Sequence, residues 1–170
     1  LGILGMGRIG KKIAKIAKSL GMIIHYHNRS KLSTEKEEGA TYHKELKSLL
    51  SVSDVLSVCC PASKETINLI NTETLEFLPK GAVVTNVARG DIVDDEALID
   101  ALDRRKVYAV GLDVYKGEPN LNAGYLKHKS AFILPHLGSA TKETRTAMAD
   151  LAIDNLEEFF KTGSCKNKVN

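Results

Sequence analysis

Nowhere does this 170-residue chain carry an apolar run approaching the ~20 residues that cross a bilayer. Nor does its start show the charged head and apolar middle of a signal peptide. Cysteine is scarce. Cys59, Cys60 and Cys165 form no C-x-x-C pair and no metal-ligand spacing, so neither a redox motif nor a metal site is expected. Cys59 and Cys60 close an apolar run, as buried thiols in a reducing compartment do, which points to the cytoplasm. Charge of one sign is lacking too: the net charge is +3 and the lysines are scattered. That describes a solvated surface rather than a nucleic-acid face. There is no repeat, low-complexity segment or internal linker, and the length fits one domain with a real core and hardly two. Leu1 already falls inside an expected strand and no initiator methionine precedes it, so upstream residues are expected to have been removed.

What is present is concentrated at the start. Leu1 to Leu4 is a short apolar run, followed by G-x-G-x-x-G at Gly5, Gly7 and Gly10, the whole reading Gly5-Met6-Gly7-Arg8-Ile9-Gly10. A helical pattern begins at once, with Ile9, Ile13, Ile16, Ala17 and Leu20 expected on one buried face and Lys11, Lys12, Lys15 and Lys18 on the rest. Strand, glycine turn and helix together are the context that makes this motif informative. Gly5 allows the tight turn, Gly7 lets a pyrophosphate approach the backbone, and Gly10 lets helix and strand pack closely. The helix N-terminus then offers free N–H groups to the phosphates.

Further strands are expected at Met22–His27, Gly39–Tyr42, Asp54–Cys60, Gly81–Val87, Val107–Asp113 and Ala131–Leu134. Helices are expected at Lys44–Leu50, Thr72–Phe77, Asp94–Leu102 and about Thr141–Phe160, with a turn or short helix at Ser63–Thr66. Strands and helices alternate. That predicts an α/β fold, a doubly wound parallel sheet of Rossmann type in three αβα layers. Residues 1–162 would form the dinucleotide-binding domain and 163–170 a polar tail.

After the second strand such folds place an Asp or Glu that accepts from both adenine-ribose hydroxyls and selects NAD. Here the position holds Asn28-Arg29-Ser30, with no acid until Glu35. A guanidinium plus a hydroxyl suits a 2′-phosphate, so NADP is the preferred cofactor with NAD as the alternative. Three later loops at the ligand-binding edge bring further chemistry: Ala88-Arg89-Gly90-Asp91, Val114 to Pro119 around Glu118, and Pro135-His136-Leu137-Gly138-Ser139. Together they offer a cation for a substrate carboxylate, a histidine to move a proton and an acid to orient and charge it.

In these motifs the chain resembles the D-isomer-specific 2-hydroxyacid dehydrogenases. The pieces that carry the resemblance are Gly5 to Gly10, Asn86-Val87-Ala88-Arg89-Gly90, Gly111-Leu112-Asp113-Val114 with Glu118-Pro119, and Leu134 to Thr141. The resemblance implies Arg89 as the substrate-binding arginine, Glu118 as the acid paired with the catalytic histidine and His136 as the proton donor. It implies Asp113 on the nicotinamide side, and Met6, Arg8, Ile9, Cys60, Pro61, Thr66, Val87, Ala88, Leu137 and Gly138 as further cofactor contacts. The version Asn28-Arg29-Ser30 looks like that of NADP-preferring glyoxylate and hydroxypyruvate reductases.

Members of that family are about twice this length and homodimeric. Their substrate domain comes from segments outside the stretch seen here, so this chain is expected to be the coenzyme domain alone. The parent is expected to be an oxidoreductase acting on a small 2-oxo or 2-hydroxy acid, with no nucleic-acid or membrane partner. The isolated chain is expected to be inactive. A non-catalytic cofactor-binding fragment is one alternative. A corepressor-like, NAD(H)-sensing module is the other, disfavoured by the lack of a nuclear-type basic run.

Overall fold

A computed structural model of the chain describes residues 1–169, which divide into two units, Leu1–Pro135 and a second beginning at His136. The first unit holds β1 (Gly2–Leu4), α1 (Arg8–Ser19), β2 (His25–His27), α2 (Thr34–Glu37), β3 (Thr41–Tyr42), α3 (Leu46–Leu50) and β4 (Val55–Val58). It continues through α4 (Thr72–Glu76), β5 (Ala82–Asn86), α5 (Asp95–Asp103), β6 (Val107–Leu112) and β7 (Ala131–Ile133). All strand pairs are parallel, in the order β3-β2-β1-β4-β5-β6-β7.

Alternation along the strands sends side chains to opposite faces. Leu4, Leu56, Val58, Val84, Val110 and Leu112 join Leu49, Leu50, Leu75, Leu98 and Leu102 from α3, α4 and α5 in the larger core. Ile3 and Tyr26 point the other way and meet Met6, Ala17 and Ile24 in a smaller core under α1. The doubly wound α/β sheet is therefore present.

The expected buried face of α1 is only partly right. Ile9, Ile16 and Leu20 are 59%, 63% and 77% exposed, whereas Gly10 and Ala17 are buried and Ile13 and Ala14 pack against the core. The cause lies at Gly10, where an added Cβ would come within 2.6 Å of the Gly5 carbonyl oxygen and 3.0 Å of Ile3 Cγ2. The helix sits down on its small residues at 10, 14 and 17, and the bulkier side chains flank the contact.

Strand ends are trimmed relative to expectation, β2 to three residues and β4 to four, because pairing stops where the neighbouring strand ends. Three short elements escaped the periodicity: α2 and two 3₁₀ turns at Gly90–Ile92 and Ala123–Lys127. In the second unit α6 (Lys142–Thr162) is capped by Thr141, whose hydroxyl accepts the Thr144 N–H at 3.2 Å, and Gly163 ends it at φ 78°. Among the described residues, no helix is long and apolar enough to cross a membrane, and no group of three His, Cys, Asp or Glu could hold a metal ion.

Candidate functional site

Ile3 in β1 is flanked by Tyr26 of β2 on one side and Ser57 of β4 on the other. Chain order reverses between β1 and β4, and ligands of open parallel sheets bind beyond the strand ends at such a point. The glycine loop lies there. Gly5 has φ +97°, and a Cβ on it would collide with the backbone of Cys60, so the loops after β1 and β4 touch at a position only glycine fits. Gly7 caps α1 at its N-terminus, yet a Cβ there would meet no protein atom within 4 Å. Its bareness opens outward, toward the space a pyrophosphate would need. The first turn of α1 contains no acid, so its N–H groups and dipole face that space uncompensated by a carboxylate. The loop fits a dinucleotide.

Beside it lies a cleft of about 560 Å³ lined by Arg8, Ile9, Cys59, Cys60, Pro61, Ala62, Val87, Ala88 and Arg89. Loops after β1, β4 and β5 thus form one wall. Burial pushes both thiols up, that of Cys60 to about 11, so they stay protonated and serve as apolar lining. Thr66 shapes the loop after β4: its hydroxyl donates to the Pro61 carbonyl at 2.9 Å and accepts the Ser63 N–H at 2.7 Å. A smaller cleft at the start of α5 is lined by Asp94, Asp95, Glu96 and Lys116. Its acids suit a dinucleotide poorly.

At the other end of the glycine loop, Asn28 Oδ1 accepts the Met6 N–H at 2.7 Å, so Asn28 fastens the loop after β2 to the glycine loop. Arg29 and Ser30 follow, both exposed. The Glu65 carboxylate is held below its usual value first by the Ser63 hydroxyl, and the Arg29 guanidinium adds to this.

Arg89 follows β5 in extended conformation, with an exposed side chain whose Nη1 donates to the Ala88 carbonyl at 2.6 Å. The turn beneath it is built by Asn86, which is buried. Its Nδ2 donates to the Arg89 carbonyl at 2.9 Å, and its Oδ1 accepts the Ala88 N–H at 3.0 Å. Gly90 then lies against the loop after β6, where a Cβ would collide with the backbone of Tyr115 and Lys116. On that loop the Tyr115 N–H donates to Glu118 Oε1 at 3.1 Å. Asp113, 9% exposed, donates its N–H to the Asn86 carbonyl at 3.0 Å. The loops of Arg89, Asp113 and Glu118 are brought together.

His136, Leu137 and Gly138 belong to the second unit, all three exposed. His136 has φ 56°, left-handed backbone in a residue other than glycine, a conformation that costs about 1–2 kcal/mol and clusters at functional positions. Neither Asn86 nor Gly90 drew a role from the sequence. The signal was present, since a buried-strand asparagine followed by Arg-Gly implies a turn clamp.

The fold and this site define a Rossmann-type dinucleotide-binding domain. Residues 1–138 match the D-isomer specific 2-hydroxyacid dehydrogenase, NAD binding domain, family, and the chain belongs to it. It is 45% identical over 172 residues to a glyoxylate reductase of Aeropyrum pernix, covering 100% of this chain and 51% of the relative. It is 43% identical over 163 residues to 4-methyl-2-oxopentanoate reductase A of Aspergillus oryzae, covering 96% and 49%. Among solved structures, an NADPH-dependent glyoxylate/hydroxypyruvate reductase of Sinorhizobium meliloti in complex with NADP and malonate superposes with TM-score 0.92 at 38% identity, over 97% of this chain and 51% of that one. The chain spans about half the length of the curated relatives it matches.

Proposed function

We propose that this chain is the cofactor-binding half of an NADP-preferring 2-oxoacid reductase, with residues 1–162 as the domain and 163–170 as its tail. The observation that carries the reading is the continuous edge running from Arg29 through the glycine loop to the cleft lined by Arg8, Cys60 and Arg89. Gly5, Met6, Gly7, Arg8, Ile9 and Gly10 would hold the pyrophosphate. Asn28, Arg29 and Ser30 would hold the adenine ribose and its 2′-phosphate. Cys60, Pro61, Thr66, Val87, Ala88, Asp113, Leu137 and Gly138 would line the path to the nicotinamide.

When bound, the nicotinamide supplies the hydride. The rest falls to side chains. Arg89 would clamp the ketoacid carboxylate and polarise its carbonyl. His136 would donate the proton to the carbonyl oxygen, and Glu118 would orient that imidazole. Relatives named for glyoxylate reduction support a small 2-oxoacid as substrate. Cytoplasmic location and a homodimeric whole protein belong to the same reading.

Titration of the 170-residue chain with NADPH and NADH tests it. NADPH should bind more tightly, and Arg29→Ala should abolish the preference, since a charged contact to phosphate is worth about 1.5–3 kcal/mol, roughly tenfold or more. A preference for NADH in the unaltered chain would overturn the NADP assignment. With glyoxylate or hydroxypyruvate the chain alone should show no useful turnover, because Arg89 alone does not orient a ketoacid or exclude water.

A further inference from the structure

Two tyrosines stand side by side on neighbouring strands. Tyr26 of β2 is paired in register with Tyr42 of β3, and their ring centroids are 5.3 Å apart. Tyr26 is fully buried, yet its hydroxyl emerges under the segment that follows β2. It accepts the Leu32 N–H at 3.0 Å and donates to Glu37 Oε1 at 2.6 Å. The Glu37 side chain is only 11% exposed, and Lys31 Nζ lies 3.9 Å from the same oxygen. The Tyr42 hydroxyl donates to the Asn28 carbonyl at 3.3 Å, while Asn28 Oδ1 holds the Met6 N–H.

The segment is thus pinned at Asn28 and again at Leu32, leaving Arg29, Ser30 and Lys31 as a short arch between the pins. Burial, and then the bond to Glu37, pushes the Tyr26 phenol up to about 12, so it remains a donor throughout the working pH range.

We propose that Tyr26, with Tyr42 and Glu37 in support, is a specificity-determining positioning residue: it pre-orders the Arg29–Ser30 arch for a ribose 2′-phosphate. This rests on the reading that Arg29 and Ser30 meet that phosphate. The physical ground is pre-organisation. An arch already fixed at both ends spends less ordering entropy when the phosphate arrives, whereas a loosened one must be ordered by the ligand. A cofactor lacking the phosphate has no charged group for Arg29 to meet and gains far less from the order of the arch.

The test is cofactor binding by the chain, read by calorimetry for NADPH and NADH, with circular dichroism and thermal unfolding to confirm that each variant folds. Tyr26→Phe keeps the ring and removes the hydroxyl. It should weaken NADPH about tenfold while changing NADH less than about twofold, a loss equal to one good hydrogen-bonding interaction. Glu37→Gln, whose amide oxygen still accepts from Tyr26, should retain the preference. Tyr42→Phe should lower it in the same direction as Tyr26→Phe and by less, as its bond is longer. In an Arg29→Ala background Tyr26→Phe should have no further selective effect.

Equal weakening of both cofactors by Tyr26→Phe, or no change in either, overturns the proposal. The two layers separate cleanly. If Arg29→Ala removes the preference and Tyr26→Phe preserves it, the clamp falls alone. If Arg29→Ala leaves the NADPH to NADH ratio unchanged, the phosphate reading falls and takes the clamp with it.

Discussion

Gly90 presses so closely on the backbone of Tyr115 that no side chain fits between them. That contact joins the loop carrying Arg89 to the loop in which Tyr115 holds Glu118. The spacing of these two loops is therefore a backbone property, fixed by the absence of one carbon atom.

Replacing Gly90 by alanine should force the two loops apart. Overpacking of this kind costs about 1–3 kcal/mol. For a domain of this size each 1 kcal/mol moves Tm by roughly 2–4 °C. Differential scanning calorimetry should show that drop. An unchanged Tm would mean that the loops separate freely and that their spacing is not fixed here.

Gly7 and Gly10 should part company under the same substitution. Gly10→Ala meets the Gly5 carbonyl and Ile3, so it should destabilise the fold by a similar amount. Gly7→Ala meets no protein atom and should leave Tm unaltered, yet weaken cofactor binding about tenfold or more by filling the pyrophosphate's approach. Comparison of Tm with cofactor affinity in the two variants decides the matter. A Gly7→Ala chain that binds as tightly as the unaltered one would remove the phosphate from this loop.

Stability should decline in mild acid. His25 Nδ1 and His43 Nε2 lie 2.9 Å apart, His43 Nδ1 faces Ser48 Oγ at 3.0 Å, and His27 Nδ1 donates to the His43 carbonyl at 2.9 Å. Burial, and then the facing His43, holds His25 below the usual histidine value; burial, and then His27, does the same for His43. With folded values depressed, the unfolded chain takes up protons first as pH falls below about 6.5. Stability is full above that pH and is lost progressively below it. Tm should hold above about pH 6.5 and drop between there and about pH 5, and His43→Gln should flatten the drop. Identical pH dependence in the variant would acquit the pair.

The proposed proton-donor role of His136 predicts that, in a two-domain reductase carrying this chain, His136→Asn lowers kcat by about 10²–10⁴ while cofactor affinity stays within about twofold. Stopped-flow turnover and fluorescence titration measure the two separately. Parallel loss of both would recast His136 as a binding residue.

Local pattern made most of the fold readable. The apolar strands, the glycine loop and the long capped helix announce themselves within a few residues, because each rests on neighbours in sequence. The loops bearing Arg29, Arg89 and Glu118 could also be placed, since each follows a legible strand. What escaped depends on contacts across the chain. The buried face of α1 was misjudged because a close approach at Gly10, not apolar spacing, chooses it. Thr34–Glu37 has no apolar period, and its Glu37 gains meaning only from Tyr26. Likewise the value of Gly90 appears only once Tyr115 is beside it.

The fit of Gly5 against Cys60 also has a bearing on how the chain folds. The central strand β1 finds β2 nearby in sequence, but its other neighbour, β4, arrives only after two further helices have been laid down. Closing so distant a pair is entropically slow, and parallel pairing offers no hairpin shortcut. Until β4 docks, nothing stands where the Cys60 backbone braces the turn at Gly5. The glycine loop is therefore completed after the sheet's centre closes, and nucleotide capture during refolding should lag the appearance of helix, marking the moment at which the two halves of the sheet become one.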